Sequence, residues 1–125
     1  LKNLDGDNNK RKKLCLKYIK HLSSSQAVPG PYVTGSNFHL FVIKTKQAKK
    51  LRHYLSENRI QTLVHYPQII PDQPFLKKEF GSLNLPIARD FVRTILSLPC
   101  HPQMNLKDVD YISNTILKFY HLSVD

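Results

Sequence analysis

An imidazole and a phenol stand side by side at His65 and Tyr66, directly before Pro67. The apolar residues 63 and 64 precede them and predict a strand that runs into a loop. Both side chains can donate a hydrogen bond to a phosphate or a sugar hydroxyl, and loops on a rigid scaffold often carry binding groups. One interpretation is therefore a binding site for a polar ligand. The alternative is that Tyr66 packs its ring and His65 is a partly buried, hydrogen-bonded histidine.

The other histidines and the known catalytic patterns indicate no second site. His39 lies in an apolar stretch and is expected to have a structural role, while His101, next to Pro102, is expected to shape a turn. A metal site would need the fold to bring His65 and His101 together, and their spacing does not require this. The sequence has no Gly-rich phosphate loop, no His-Glu-x-x-His pattern and no nucleophile elbow. No catalytic, cofactor-binding or metal-binding residue is therefore assigned.

The composition is that of one globular domain covering residues 1–125. The chain has 125 residues, of which 41% are hydrophobic, so it can bury a core and is not disordered over its whole length. Its longest apolar run, residues 40–43, is too short to cross a bilayer, and no secretory signal is expected. Cys15 and Cys100 are far apart in the sequence and show no metal-like spacing, which favours a reduced protein in the cytoplasm.

Positive charge is concentrated in the first two thirds of the chain. The net charge is +10: residues 1–20 contribute +5, residues 21–80 contribute another +5, and residues 81–125 carry four charges of each sign. This distribution indicates an anionic partner or, alternatively, a solvated helix face that opposes an acidic domain outside this chain. Nucleic acid is not the expected partner, because no RRM, KH or zinc-finger signature is present and Tyr18 falls on the apolar face of its helix.

Periodicity and breaker residues predict alternating helices and strands. Helices are predicted over residues 8–22, 46–58, 85–93 and 105–120, a short helical turn over 75–80, and strands over 37–45, 60–66 and 94–98. Residues 23–31 are predicted to form a loop and residues 68–74 to be irregular, and Asn105 is predicted to be an N-cap. This order is compatible with an α+β fold, in which a small sheet of about three strands is packed with about four helices.

Apolar spacing also predicts which faces are buried. In the first helix Leu14, Tyr18 and Leu22 recur every four residues. Both alternating sets of the strand over residues 37–45 are largely apolar, which predicts an interior strand covered on both faces. In the last helix the inward positions are Val109, Ile112, Ile116 and Phe119.

Six short blocks of the sequence, in order, carry a family resemblance. They are Leu4-Asp5 with Asn8, Lys10, Arg11 and Tyr18; residues 38–43; residues 50–60; residues 62–67; Leu85-Pro86 with Ala88, residues 96–99 and Pro102; and Asp108-Val109 with residues 116–119. In this order and spacing the chain resembles the C-terminal domain of the sugar aminotransferases of the DegT/DnrJ/EryC1/StrS family, which use pyridoxal phosphate.

The resemblance implies both a fold and a function. Members of the family are homodimeric type I aminotransferases that move an amino group, usually from glutamate, to a nucleotide-linked keto-deoxy sugar for surface polysaccharide or glycoside biosynthesis. Their N-terminal domain holds pyridoxal phosphate through a lysine Schiff base, and the cofactor carries the chemistry. This chain then corresponds to the small C-terminal domain that closes over the substrate, with a helical arm at 1–24 and an α/β body at 32–125. Alone it is expected to bind no pyridoxal phosphate and to be inactive.

Three residues carry over from the family's pattern as substrate-binding positions, namely His65, Tyr66 and Gln73. The family's pattern continues after His-Tyr-Pro with a second proline and a second histidine, but this chain has Ile69 and Pro71 at those two positions. The usual loop shape and sugar contact therefore need not hold in this chain.

Two further departures lie at helix ends. Gly6-Asp7 replaces a continuous helix start, and Asn58-Arg59 replaces a turn that ends in glycine.

A second hypothesis is that the chain is not part of an enzyme. It would then be a free-standing basic binding module, without catalysis, for nucleic acid or a protein partner.

Overall fold

The computed structural model describes residues 2–31 and 33–122 of the chain. The α-helices are α1 Leu4–Leu22, α2 Ala48–Glu57, α3 Lys77–Phe80, α4 Pro86–Thr94 and α5 Leu106–Leu122, and the strands are β1 Val28–Pro29, β2 Phe41–Lys44 and β3 Ile95–Leu98. A 3₁₀ turn covers Ile70–Asp72. Within this part of the chain the fold is α+β, as predicted, with helices packed on a three-stranded sheet. The ends of the predicted body, Tyr32 and Asp125, lie outside the described residues.

The predicted helices are all present, with shifts at their ends. The first begins at Leu4 rather than at residue 8, so it passes through Gly6 without a break. At the start of α5, the Asn105 side chain accepts the N–H groups of Lys107 and Asp108 at 2.8 and 3.0 Å, and Asp108 accepts the Asn105 N–H at 2.7 Å. This reciprocal cap confirms Asn105 as the N-cap. No helix among the described residues is long and apolar enough to span a membrane.

The end of α2 is a Schellman motif in which an arginine takes the position usual for glycine. The N–H of Ile60 donates to the carbonyl of Leu55 at 2.9 Å, and the N–H of Arg59 donates to the carbonyl of Ser56 at 3.0 Å. Arg59 has a φ of 60°, a left-handed conformation that costs about 1 kcal/mol or more in a residue with a Cβ. The arginine therefore keeps the shape of the turn but adds strain.

The sheet is antiparallel, with the strand order β1-β2-β3. Phe41 pairs with Leu98 and Lys44 with Ile95, so β2 and β3 are in register over their full length. The central position of β2 agrees with the prediction of an interior strand. The prediction that both faces are covered was wrong, because Phe41 and Ile43 are buried whereas Val42 is half-buried and Lys44 is exposed.

The edge strand β1 lies in a stretch that was predicted to be a loop, so that prediction was wrong here. Val28 pairs with Lys44, and the N–H of Gly30 donates to the carbonyl of Val42 at 2.9 Å. Pro29 has no N–H to give to a ladder and is therefore suited to an edge. The pairing is set by β2, which lies far away in the sequence, and local residue types do not reveal it.

The strand predicted over residues 37–45 begins only at Phe41, so its first part was wrong. Phe38 has a φ of 51°, which is outside the range of an extended strand. Side chains hold this bend, since Ser36 Oγ accepts the N–H of Phe38 at 3.2 Å and Asn37 Oδ1 accepts the N–H of His39 at 3.0 Å. Such local bonds compete with strand pairing.

The strand predicted over residues 60–66 was also wrong. Only Leu63 pairs with the sheet there, exchanging backbone hydrogen bonds with Ser97 at 3.3 and 2.7 Å. The segment therefore touches the outer edge of β3 at one residue and then leaves it. Alternation of apolar residues alone did not reveal that the contact is so short.

The hydrophobic core lies between the sheet and helices α1, α2 and α5. Tyr18 of α1 is fully buried and its ring stacks on Phe41 of β2, with ring centroids 4.8 Å apart. Burying one large aliphatic side chain in such a core stabilises the fold by about 1.5–3 kcal/mol. The inward positions predicted for α1 and α5 are all buried: Leu14, Tyr18, Leu22, Val109, Ile112, Ile116 and Phe119.

Candidate functional site

Three segments of the chain meet beside the end of β3 and form an open cleft of about 460 Å³. The register of Phe41 with Leu98 places the residues before β2 beside those after β3. On the other edge of β3, the pairing of Leu63 with Ser97 brings in the segment that leads to His65. The residues that line the cleft are His39, Leu40, Gln61, Leu63, His65, Ser97, Leu98, Pro99, Cys100 and His101.

The imidazole of His65 is held by a buried hydroxyl. Its Nδ1 lies 2.9 Å from Oγ of Ser97, a residue that is 5% exposed. Buried hydroxyls in proteins are normally hydrogen-bonded, and this bond fixes the orientation of the ring. Within the described part of the chain, Nε2 of His65 makes no hydrogen bond, so it can accept or donate one to a ligand, depending on the tautomer. His65 is thus both partly buried and able to bind.

Tyr66 lies outside the cleft lining and is 73% exposed. The peptide bond that joins it to His65 is cis. Its ring meets that of His65 edge to face, with centroids 5.7 Å apart and planes at 82°. Of the alternative that Tyr66 packs its ring, only this contact with His65 is present, and the phenol is open to a partner.

Gln73 is separate from the other two predicted substrate-binding residues. It follows the 3₁₀ turn at Ile70–Asp72, and its carbonyl accepts the N–H groups of Leu76 and Lys77 at 3.0 and 2.8 Å. Gln73 is not among the residues that line the cleft. The structure thus brings His65 and Tyr66 together but leaves Gln73 on the following loop.

Two histidines that were given structural roles also line this cleft. His39 was predicted to lie inside a strand, but it is exposed on the bend before β2. His101 is exposed as well, and its carbonyl accepts the N–H of Met104 at 3.0 Å, which is the predicted turn. Although His39, His65 and His101 share the cleft, no group of three or more His, Cys, Asp or Glu side chains in residues 2–31 and 33–122 is placed to hold a metal ion.

A bidentate ion pair fixes the loop that follows His65 and Tyr66. Nε and Nη2 of Arg89, on α4, donate to the carboxylate of Asp72 at 3.2 and 2.7 Å, while Nη1 donates to the carbonyl of Leu83 at 2.8 Å. The hydrogen bonds from Arg89 lower the pKa of the Asp72 carboxyl below its usual value. The loop is therefore attached to α4, a role that the sequence analysis gave to neither residue.

Ser97 was not among the predicted site residues, although the sequence contains a signal for it. Ser97 is the polar residue in an otherwise apolar strand, Ile95–Leu98, all of which is buried. A hydroxyl at such a position needs a partner, and a search for that partner among nearby polar residues would have pointed to His65.

The sequence profile of the DegT/DnrJ/EryC1/StrS aminotransferase family matches residues 1–117. The chain belongs to this family. The match covers the whole cleft, including His39, His65, Ser97 and His101. The resemblance seen in the six sequence blocks is thereby confirmed.

Two relatives of this DegT-family chain are named as transaminases. A dTDP-3-amino-3,6-dideoxy-alpha-D-galactopyranose transaminase from Aneurinibacillus thermoaerophilus is 30% identical over 119 residues, which cover 93% of this chain and 32% of that protein. A dTDP-3-amino-3,4,6-trideoxy-alpha-D-glucose transaminase from Streptomyces venezuelae is 34% identical over 108 residues, covering 83% of this chain and 28% of that protein. The chain thus spans about a third of the length of these relatives.

Solved structures of the family show the same fold. Helicobacter pylori PseC, an aminotransferase involved in the biosynthesis of pseudoaminic acid, matches with a TM-score of 0.85 at 29% identity, over 94% of this chain and 34% of that one. DesV from S. venezuelae, in complex with a ketimine intermediate, matches with a TM-score of 0.85 at 29% identity, over 95% of this chain and 33% of that one.

Pyridoxal phosphate, the cofactor of these aminotransferases, does not fit the residues of the cleft. Its Schiff base requires a lysine amine, and no lysine lines the cleft. Among the described residues the buried polar side chains are hydroxyls of Thr and Ser, and no lysine is buried. The cleft therefore lacks the group that would anchor the cofactor.

Proposed function

We propose that this DegT-family chain is the C-terminal, substrate-closing domain of a sugar aminotransferase that uses pyridoxal phosphate. The enzyme would transfer an amino group from glutamate to a nucleotide-linked keto-deoxy sugar, for surface polysaccharide or glycoside biosynthesis. The observation that carries this proposal is His65 in the wall of the cleft, oriented by Ser97 at 2.9 Å, with the exposed ring of Tyr66 against it. The family match and the names of the relatives support the substrate class.

The proposed substrate-binding residues act through hydrogen bonds. His65 offers the Nε2 atom that has no partner in the described structure, and Tyr66 offers an exposed phenol; both can bind a sugar hydroxyl or a phosphate oxygen. Gln73 would join them from its loop when the substrate spans the distance between cleft and loop. None of these residues is assigned a catalytic role.

The remaining parts of the proposed enzyme belong to the portion of the relatives that this chain does not span. An N-terminal domain would hold pyridoxal phosphate through its lysine, and two copies would form a homodimer. Alone, the chain would neither hold the cofactor nor transfer an amino group, because no lysine lies in its cleft. The two-cysteine composition agrees with a cytoplasmic enzyme.

Calorimetric titration of the chain with a dTDP-linked 4-keto-6-deoxy sugar tests this proposal. We expect binding that weakens by about tenfold or more, or ~1.4 kcal/mol, in a His65→Ala, Tyr66→Ala double variant. His53→Ala is the control, because His53 of α2 does not line the cleft and its exposed ring pairs with Glu57 at 3.4 Å. Equal binding by the double variant, or transaminase activity in the isolated chain, would contradict the proposal.

A basic binding module is the second candidate, and the charges of α1 favour it. Lys12, Lys13 and Lys20 are all exposed on this helix. Binding to a random oligonucleotide that falls steeply with salt would support such a module. Binding that is absent at physiological salt would remove this candidate.

A further inference from the structure

The two cysteines of the chain, 85 residues apart in sequence, lie side by side in the fold. The Sγ atoms of Cys15 and Cys100 are 3.2 Å apart, and both thiols are free. Cys15 belongs to α1, and Cys100 follows the end of β3. Nothing in their sequence spacing predicted this contact, which arises because α1 packs beside β2 and β3 in the core.

The two thiols differ in their access to solvent. Cys15 is fully buried, with 0% exposure, whereas Cys100 is partly buried and forms part of the wall of the cleft. A small reagent that enters the cleft therefore meets Cys100 first. It can reach Cys15 only through Cys100 or through an opening of the core.

Hydrogen bonding also makes the two thiols unequal. The contact with Cys15 lowers the pKa of Cys100, and the positive charge of Arg11 acts in the same direction, while burial opposes them. The same contact, together with burial, raises the pKa of Cys15. The thiolate is the reactive form of cysteine, and Cys100 is the thiol that a reagent in the cleft can reach, so Cys100 is the nucleophile of the pair.

We propose that Cys15 and Cys100 form a redox-sensitive pair, in which Cys100 reacts with a hydroperoxide from the cleft and Cys15 then closes an intramolecular disulfide. This proposal rests on the geometry of the two thiols and is independent of the proposed transferase function. It requires a short movement, because the sulfur atoms must approach by about 1 Å to reach the disulfide length of about 2.05 Å.

The chemistry balances with hydrogen peroxide as the oxidant. The Cys100 thiolate attacks one peroxide oxygen, the O–O bond breaks, and the hydroxide that leaves takes up a proton to become water, which gives a sulfenic acid on Cys100. The sulfur of Cys15 then attacks Sγ of Cys100, the S–O bond breaks, and the departing hydroxide takes the Cys15 proton. Two thiols and one peroxide thus give one disulfide and two waters.

Oxidation would change the cleft as well as the thiols. The disulfide joins α1 to the residue that precedes His101, so one wall of the cleft becomes covalently tied to the core. Cys100 is also one of the residues that line the cleft, and its sulfur would be drawn toward Cys15. A ligand of the cleft should therefore bind the reduced and the oxidised protein with different affinities.

The test is a titration of the native chain with hydrogen peroxide, followed by intact-mass measurement and peptide mapping without reduction. We expect the monomer to lose the mass of two hydrogen atoms, a peptide that joins Cys15 to Cys100, and full recovery with a dithiol reductant. Two free thiols after excess peroxide, or a disulfide between two chains, would overturn the proposal. This result does not depend on any variant folding.

Two variants test the order of the steps. Cys15→Ser should stop the reaction at a Cys100 sulfenic acid that dimedone traps, because the second sulfur is missing. Cys100→Ser should consume peroxide at least about tenfold more slowly than wild type, since the remaining thiol is fully buried. A Cys100→Ser variant that retains its circular dichroism spectrum and reacts as fast as wild type would contradict the assignment of Cys100 as the first nucleophile.

Discussion

Ser97 holds His65 through a 2.9 Å hydrogen bond between Oγ and the imidazole Nδ1. Ser97 is buried in β3, whereas His65 stands at the cleft. A side chain of the sheet thus sets the orientation of a side chain of the proposed binding site.

Replacing Ser97 by alanine should leave the fold intact but release the His65 ring. We expect a loss of about 1 kcal/mol in the free energy of unfolding, the usual net value of one hydrogen bond, and weaker binding of the nucleotide sugar. Urea denaturation and calorimetry measure the two effects. Ser113→Ala is a matched control, because within the described residues the buried Ser113 hydroxyl has no hydrogen-bond partner; an equal loss in both variants would contradict the role given to the bond.

Replacing Arg59 by glycine should stabilise the protein. Arg59 has a φ of 60°, and glycine adopts this conformation without steric cost, so we expect a gain of up to about 1 kcal/mol in the free energy of unfolding. Arg52→Gly, in the interior of α2, is the control and should destabilise by about 1 kcal/mol. Chemical denaturation should therefore show changes of opposite sign in the free energy of unfolding of the two variants. A loss of stability in both would contradict the strain assigned to Arg59.

Truncating isoleucine should be costly in α5 and nearly neutral in α4. Ile116 is fully buried, so Ile116→Ala should lower the free energy of unfolding by about 2–5 kcal/mol. Ile87 is 85% exposed, and Ile87→Ala should change it by less than about 0.5 kcal/mol. Thermal and urea unfolding measure both variants. A loss of stability in Ile87→Ala comparable to that in Ile116→Ala would show that the apolar face around Ile87 is covered in solution.

Acid should destabilise the contact between α1 and α5. The Asp110 carboxylate accepts hydrogen bonds from Lys17 at 2.6 Å and from His21 at 3.0 Å, and these bonds hold its pKa below the usual value. A carboxyl group whose pKa is lower in the folded state contributes stability above its unfolded pKa of about 3.9 and loses it as the pH falls through the folded pKa. Asp110→Asn should therefore flatten the fall in stability at acidic pH, and identical pH profiles for the variant and wild type would rule this out.

The helices could be read from the sequence because their signals are local. Asn105 caps α5 as predicted, and Leu14 and Ile116 are buried at the predicted helical spacing. The strands could not be read as well, because strand pairing joins distant residues. Val28 becomes a strand residue only through its pairing with Lys44, and Leu63 reaches the sheet at a single residue.

Only the part of the site that is local in sequence could be predicted. His65 and Tyr66 are neighbours in the sequence, and the fold keeps their rings together. His39 and His101 share a cleft with His65 only because of the pairing of β3 with β2 and with Leu63, which sequence spacing does not specify. Whether His65, Tyr66 and Gln73 bind the substrate stays a prediction.

The segment that leads to His65 is fastened to the sheet at two points, and one residue provides both. The backbone of Ser97 exchanges hydrogen bonds with Leu63, and its hydroxyl holds the ring of His65. Ser97 therefore holds the segment by both its backbone and its side chain, so these two attachments can be lost separately. Loss of the hydroxyl frees the ring while the chain stays in place, whereas opening of the backbone pair frees both and exposes the Leu63 and Ser97 amides to exchange with solvent at the same rate.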